Sequence, residues 1–321
     1  MRTGISAGLA VVVSLAALTG VSSGQTAGGD VPRTPWGHPD LQGTWNNGTV
    51  VPLERPDSLS GRETLTDEEV AQRRQATSDQ LFAEREGDPG FYNEFWWEYG
   101  RDTNQTSLVI DPPDGRLPAL VGSAKTELDA LAKHRAQVYD SPDVWTDVNA
   151  YDRCISRSLP GSMMPGFYNH NYQILQTPDH VVIQVELIHD TRIIPLDGRP
   201  HLSPNITQWL GDSVGHWEGD TLVVETTNLN DRVREHAVTL LGTGKHLRLT
   251  ERFRRVDAET IDYQFTVDDP TMYSRSWTAS APMSRIDGPL FEYACHEGNY
   301  SIANMLRGAR AEEADEAAQQ P

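Results

Sequence analysis

The chain has 321 residues, of which 27 are Lys or Arg and 46 are Asp or Glu, so its formal net charge is −19. Because a surface this acidic repels polyanions, nucleic acid is excluded as a partner. A small-molecule ligand or substrate is the partner that we expect.

The first residues have the pattern of a secretory signal. Arg2 precedes an apolar run from about Leu9 to Leu18, and small residues follow up to Gly24. The run is too short to span a bilayer. We therefore expect residues 1–24 to be a signal peptide and the mature protein to be periplasmic or secreted, with no membrane span after signal removal.

Residues 25–150 are predicted to form an N-terminal wrapping segment with two helices. In the run LTDEEVAQRRQATSDQLFAER, Thr66 and Glu69 have the spacing of a capping box. In the run SAKTELDALAKHRAQVY, Leu128 and Leu131 begin an apolar stripe at helical spacing. The stretches beside these runs are rich in Pro and Gly, which is typical of ordered loops.

From residue 151 the hydrophobic period changes to two, which indicates β-strands separated by short turns such as LDG and EGD. Sequential strands with short turns predict an antiparallel meander, which closes into a barrel or folds into a sandwich. The expected fold is therefore mainly β. It is a lipocalin-like barrel over residues 151–307, with a β-sandwich as the alternative and a loop-and-helix layer packed against it. The polar tail, residues 308–321, is predicted to be disordered.

Cys154 and Cys295 are the two cysteines of the chain. An even, isolated pair in an oxidising compartment predicts one disulfide bond. The bond would close a loop of about 140 residues and stabilise the fold by roughly 5 kcal/mol in the chain-entropy model.

Alternation along the strands assigns some polar residues to the inner face of the barrel. Glu251 falls on the apolar face of HLRLTERFRRV, and His189 continues the apolar face that begins at Val181. Buried groups of this kind acquire shifted pKa values and suit acid–base chemistry, or else they satisfy one another structurally. Asp269 continues a third apolar face, where we expect it to terminate a strand.

The run GFYNHNYQ precedes the first clear strand. Its polar residues, Tyr168, Asn169, His170, Asn171 and Tyr172, carry hydroxyl, amide and imidazole groups. At the mouth of a barrel these groups could orient a polar substrate, or they could cap an irregular loop. Both interpretations remain open.

The run FEYACHEGNY places His296 and Glu297 beside Cys295. It resembles the start of the zinc motif H-E-x-x-H, but position 300 is Tyr and the intervening Gly-Asn pair disfavours the required helix, so we exclude a zincin site. The two residues are candidates for an acid–base pair or for structural support. Because adjacent strand residues point to opposite faces, at most one should face the cavity.

Several strings together resemble a large family of exported bacterial proteins. They include PWGHPDLQGTW, YNEFWWEYG, YDRC, RIIPLDGRPH, WEGDTLVVETTNL and FEYACHEGNY. The resemblance covers nearly the entire mature chain. It implies export and a single architecture, and it assigns no reaction and no catalytic residue.

The favoured functional hypothesis is a cofactor-independent enzyme, a lyase, hydratase or isomerase, that moves protons in the barrel cavity. His189 would be the base and Glu251 its partner. Tyr172, or the inward member of the His296–Glu297 pair, would be the acid.

Two other hypotheses remain open. A binding module would hold a sugar, phenolic or isoprenoid ligand through Tyr168, Asn169, His170 and Asn171, with the aromatic rings of Trp217, Tyr263 and Trp277 against it. A metal site could use His170, His189 and a carboxylate, although no short-range ligand spacing supports it. No cofactor is expected under the first two hypotheses.

Overall fold

The computed structural model describes residues 31–83, 95, 97, 98, 100–138, 142–232 and 244–319. The strands are β1 Gly43–Asn46, β2 Val109–Asp111, β3 Asn171–Gln176, β4 His180–Val185, β5 Thr191–Pro195, β6 Asp212–Glu218, β7 Thr221–Thr227, β8 Arg248–Arg255, β9 Thr260–Asp268, β10 Trp277–Ser280 and β11 Met283–Ile286. The helices are α1 Asp67–Leu81, α2 Gly122–Val138 and α3 Ser301–Gln319. The predicted signal, residues 1–24, lies outside the described residues.

The two helices predicted in the N-terminal segment are confirmed as α1 and α2. Helix α1 begins with the predicted capping box. The Oγ1 atom of Thr66 accepts a hydrogen bond from the Glu69 amide at 3.3 Å, and the Glu69 carboxylate accepts one from the Thr66 amide at 2.8 Å. These bonds satisfy two amides that the first helical turn leaves without partners.

The strands form one antiparallel sheet of eleven strands, in the order β5-β4-β3-β1-β11-β9-β8-β7-β6, with β10 paired to both β9 and β2. The N-terminal segment therefore does more than cover the sheet, because β1 lies between β3 and β11 within it. Trp45 of β1 lies opposite Tyr172 of β3. The sheet thus unites the two ends of the chain.

The predicted mainly β, antiparallel fold is confirmed, but the sheet is not closed into a barrel. In the part of the chain that the structure describes, the path ends at β5 and β6 and no ladder joins them. Side chains meet there instead. A Cβ atom on Gly215 of β6 would lie 3.0 Å from Ile194 and 2.9 Å from Leu196, so these side chains occupy the place of a ladder. Because Arg192 of β5 reaches Glu251 of β8, the two halves of the sheet face one another, as in the sandwich alternative.

Large side chains fill the space between the two halves of the sheet. Trp45, Tyr172, Phe253, Tyr263 and Trp277 have no exposed surface. The interior is therefore a packed core. Tyr172, Tyr263 and Trp277, which were predicted to face a ligand cavity, cannot reach a ligand there.

The prediction that His189 converges with Glu251 is wrong. Strand β4 ends at Val185, and the turn that follows holds Ile188 (φ 66°) and His189 (φ 64°) in the left-handed region. This turn resets the alternation, so Arg192 of β5 points inward and the His189 ring is exposed beside Gln184. A single period of two therefore cannot be extended across the turn.

The polar tail also differs from its prediction, because helix α3 covers Ser301–Gln319 where residues 308–321 were expected to be disordered. Its alanines and charged residues are strong helix formers, and Arg310 pairs with Glu313 one turn away at 2.7 Å. Ala309 is buried and anchors this helix. Among the described residues, no helix has both the length and the apolar character that crossing a bilayer requires.

Candidate functional site

A cleft of about 1070 Å³ lies where three segments of the chain meet. One segment contributes Glu98, the second contributes Tyr151 and Tyr168, and the third is the run 291–305, which carries Tyr293. A concave surface lined by aromatic rings and a few polar groups is typical of small-molecule sites. This cleft is the candidate functional site.

The predicted disulfide bond between Cys154 and Cys295 is confirmed, with Cα atoms 5.7 Å apart. The side-chain amide of Asn299 donates to the Asp152 carbonyl at 3.4 Å and adds a second fastening. The bond thus holds the segment that carries Tyr293 against the segment that carries Tyr151. The disulfide is part of the wall of the cleft.

Three tyrosine side chains form a hydrogen-bonded array in the cleft. The hydroxyl of Tyr151 bonds with those of Tyr168 and Tyr293. Burial, followed by the proximity of Tyr293, raises the pKa of the Tyr151 hydroxyl to about 12. The array therefore presents neutral hydroxyl groups that can donate hydrogen bonds.

Arg157 lies beneath the tyrosine array. It is buried, and its guanidinium carbon lies 5.1 Å from the centre of the Tyr151 ring. Among the described residues, its Nε atom has no hydrogen-bond partner and no carboxylate forms an ion pair with its guanidinium group. Burial lowers the pKa of Arg157, but an arginine remains charged in proteins. The tyrosine array, which forms the floor of the cleft, is therefore backed by a buried positive charge that has no counter-ion among the described residues, and this charge favours negative charge on nearby oxygen atoms.

Glu98 lies at the edge of the same array. Its Oε2 atom accepts hydrogen bonds from the Asn169 amide at 2.8 Å and from Asn171 Nδ2 at 3.0 Å. Asn171 Nδ2 also donates to Glu186 at 2.6 Å, so one nitrogen bridges the two carboxylates. Burial, and then the charge of Glu186, raise the pKa of Glu98. A carboxyl group whose pKa is raised towards physiological pH is suited to proton transfer.

Close backbone packing fixes the position of Glu98. Its amide donates to the Phe167 carbonyl at 2.8 Å. A Cβ atom on Gly100 would lie only 2.2 Å from the Gly48 carbonyl oxygen, so glycine is required at position 100. Asn46 bonds to the Gly48 amide and to Asn171, both at 2.7 Å. Strand β1 therefore supports both Glu98 and its hydrogen-bond partner.

The structure brings part of the predicted residue set to the cleft. Tyr168, Asn169 and Glu297 line it, and Asn171 lies beneath it. Glu297 lines the wall, whereas its neighbour His296 is exposed and does not.

His170 has a structural environment. It is buried, and burial followed by the charge of Arg157 lowers its pKa to about 3. A bond with the Met164 backbone opposes this shift. Its imidazole is therefore neutral at physiological pH. His170 and the exposed His189 are the histidines of the metal hypothesis, and no described group of three or more His, Cys, Asp or Glu residues is arranged to hold a metal ion.

The remaining predicted residues lie elsewhere. Glu251 is buried as expected, but it pairs with Arg192 and accepts a hydrogen bond from the Tyr263 hydroxyl at 2.9 Å. The Tyr172 hydroxyl donates to Asn47 at 3.2 Å. Trp217 stacks on His38, with ring centres 4.6 Å apart, away from the cleft. Trp277 packs edge-on against Phe265 in the core.

Sequence reasoning missed five residues of the site: Glu98, Tyr151, Arg157, Glu186 and Tyr293. A signal for three of them exists in the strings YNEFWWEYG, YDRC and FEYAC, which each combine an aromatic residue with an acidic one. Glu98, Tyr151 and Tyr293 stand outside the strands whose alternation assigned the inner face, so that reasoning did not select them. Their convergence depends on the disulfide and on strand β1.

A scan against protein-family models and searches among curated proteins and solved structures found no match to this chain.

Proposed function

We propose that this protein is a cofactor-independent enzyme of the lyase, hydratase or isomerase type, with its acid–base groups in the cleft. The observation that supports this proposal most is a buried arginine, Arg157, beneath three hydrogen-bonded tyrosines and beside a carboxyl whose pKa is raised; no carboxylate of the described residues pairs with this arginine. A purely structural cluster would gain stability from a carboxylate paired with this arginine.

Each group has a defined role in this proposal. Glu98 accepts and returns the proton, since its Oε1 atom accepts no hydrogen bond from the described residues. The tyrosine hydroxyls donate hydrogen bonds to the oxygen on which negative charge develops. Arg157 acts behind them as a positioning residue whose charge stabilises that oxygen through a medium of low dielectric constant.

The test is proton exchange by the purified mature protein in D2O with a panel of small organic substrates, followed by NMR. We expect Glu98→Gln to lower the exchange rate by about two to four orders of magnitude, because the variant keeps the size of the side chain and removes the proton carrier. Glu259→Gln, in an exposed turn between β8 and β9, is the matched control. Equal loss in both variants, or unchanged exchange in Glu98→Gln, would contradict the proposal.

A small-molecule binding protein is the second candidate, because the cleft is large and the exposed ring of Phe291 lies at its rim. Binding alone predicts a ligand-induced rise in melting temperature without any exchange or turnover. The same panel therefore separates the two candidates.

We also propose that the protein is exported to the periplasm or secreted. The disulfide bond supports this location, since such bonds persist in oxidising compartments. Expression of the full chain should yield a mature form that begins near residue 25, measured by intact mass. Retention of residues 1–24 in that mass would contradict export through a cleaved signal.

A further inference from the structure

We infer that the substrate of the cleft is an uncharged carbonyl compound, a ketone or an enone, whose oxygen binds the tyrosine array and becomes an enolate during the reaction. This inference rests on the proposed function, and it adds the substrate class.

The charges around the cleft exclude a substrate with a permanent negative charge. Besides Glu98, three of the described lining residues are acidic, namely Asp152, Glu292 and Glu297, and no described lining residue is Lys, Arg or His. A carboxylate or phosphate would be repelled as it enters. Ile302 and Met305 add apolar surface to the same wall. The mouth of the cleft therefore favours neutral, partly apolar molecules.

The floor has the opposite electrostatic character. No carboxylate of the described residues pairs with the buried Arg157, and the tyrosine array above it supplies hydroxyl donors. A neutral carbonyl oxygen accepts hydrogen bonds from such donors, and the bonds strengthen as the oxygen becomes negative. The mouth of the cleft thus excludes anions, whereas its floor stabilises an anion that forms from a bound neutral molecule. An oxygen that is neutral on entry and negative in the transition state satisfies both conditions.

The chemical step is balanced by groups at the site. The C–H bond next to the carbonyl breaks, its proton moves to the Glu98 carboxylate, its electron pair forms the carbon–carbon double bond of the enolate, and the π pair of the carbonyl moves to the oxygen. The oxygen pair then re-forms the carbonyl as the proton returns from Glu98. In the isomerisation of an enone the dienolate pair takes this proton at a different carbon; in an elimination the enolate pair forms the carbon–carbon double bond, the bond between the β-carbon and its oxygen breaks, and the departing oxygen takes the proton. No electron acceptor is required.

Phenols test this inference without knowledge of the substrate, because a phenol resembles an enol and its acidity can be varied at nearly constant size. We would measure the binding of a series of para-substituted phenols by calorimetry, with benzoates and methyl ethers of the same size. We expect affinity to rise about tenfold or more from the weakest to the strongest acid. Benzoates and ethers should bind at least about tenfold more weakly than the matching phenols.

A variant locates the effect. Tyr151→Phe removes one donor of the array and should reduce the dependence of affinity on phenol acidity. Tyr300→Phe is the matched control, since this tyrosine is 72% exposed and does not line the cleft. The dependence should be unchanged in that control, and circular dichroism should show both variants folded.

The outcomes separate this inference from the proposed function. Tight binding of benzoates, affinity that is independent of acidity, or no binding of any phenol would overturn the substrate class. Proton exchange on carboxylate substrates would also overturn the substrate class, but it would agree with the proposed acid–base reaction. Acidity-dependent phenol binding without exchange in any carbonyl compound would support the oxyanion site and contradict the proposed reaction.

Discussion

At the scale of single residues, the most informative group is Glu251, which lies in the core rather than in the candidate site. Its carboxylate pairs with both terminal nitrogens of Arg192 and accepts a bond from Tyr263. Arg192 also reaches Ser213 at 3.3 Å and Thr226 at 3.4 Å. This network joins β5 to β6, β7, β8 and β9, so Glu251 connects the two halves of the sheet.

Replacement of Glu251 by Gln should therefore affect stability. The change leaves the charge of Arg192 buried without its ion-pair partner, and the loss of such a partner typically lowers the free energy of unfolding by about 3–5 kcal/mol. Urea denaturation measures this loss. Glu218→Gln, which removes the exposed ion pair with Arg252, is the control and should change stability little. Equal stability of the Glu251 variant and the parent protein would show that the network contributes nothing.

Asp190 gives a prediction about pH. It accepts a bond from the Ser156 hydroxyl at 3.0 Å, and burial raises its pKa from 3.8 to about 6. The folded state therefore favours the neutral acid. The contribution of Asp190 to the free energy of unfolding falls as pH rises from about 4 to about 6. Asp190→Asn should be more stable than the parent above pH 6, by at most about 3 kcal/mol, and equal to it below pH 4.

Urea denaturation across this pH range checks the sign for Asp190. Asp197→Asn is the control, because Asp197 is exposed and its pairing with Arg199 lowers its pKa to about 2. The free energy of unfolding of this control should not exceed that of the parent protein at neutral pH. A parent protein more stable than Asp190→Asn at pH 7 would mean that burial is not what governs this carboxyl.

At the scale of elements, the contact between the segment 98–100 and strand β1 determines the geometry of the site. Gly100→Ala should place a methyl group against the Gly48 carbonyl and displace the Glu98 carboxyl. We expect a loss of about 1–3 kcal/mol and a loss of activity in the exchange assay. Gly122→Ala at the start of α2 meets no atom within 4 Å, and a helical alanine should be neutral or slightly stabilising.

Melting curves and exchange rates of the two glycine variants give the comparison. If Gly100→Ala loses exchange activity but keeps its full stability, the result still supports a role of Gly100 in positioning Glu98. If the variant keeps both its exchange activity and its stability, the result contradicts the close approach of residue 100 to the Gly48 carbonyl oxygen.

At the scale of the whole molecule, the disulfide and strand β1 join distant parts of the chain. The bond links residues 141 positions apart, and β1 brings the N-terminal segment into the centre of the sheet. The cleft forms only where these connections meet. The fold and the candidate site are therefore coupled.

Removal of the disulfide by replacing Cys154 and Cys295 with Ser should lower the free energy of unfolding by roughly 5 kcal/mol, since the loop it closes is long. Phenol binding should weaken in addition, because Tyr293 is no longer held against Tyr151. Denaturation of the parent protein with and without dithiothreitol provides an independent measure. Unchanged phenol affinity in a folded double variant would show that the bond does not shape the cleft.

The sequence by itself determined the class of fold and several local features. Period-two runs predicted an antiparallel β protein, capping-box spacing predicted the start of α1, and an even pair of cysteines predicted the disulfide. These features depend on neighbours in sequence or on simple counting. Burial of Glu251 also followed from alternation within one strand.

Only the tertiary structure decided which polar groups meet. Two left-handed residues, Ile188 and His189, reversed the inner face beyond β4 and gave Glu251 an arginine partner instead of a histidine. Glu98, Tyr151 and Tyr293 come from three loops with no common period, and their meeting depends on long-range pairing. Local patterns report which face of a strand is apolar, whereas a site depends on which distant segments pack together.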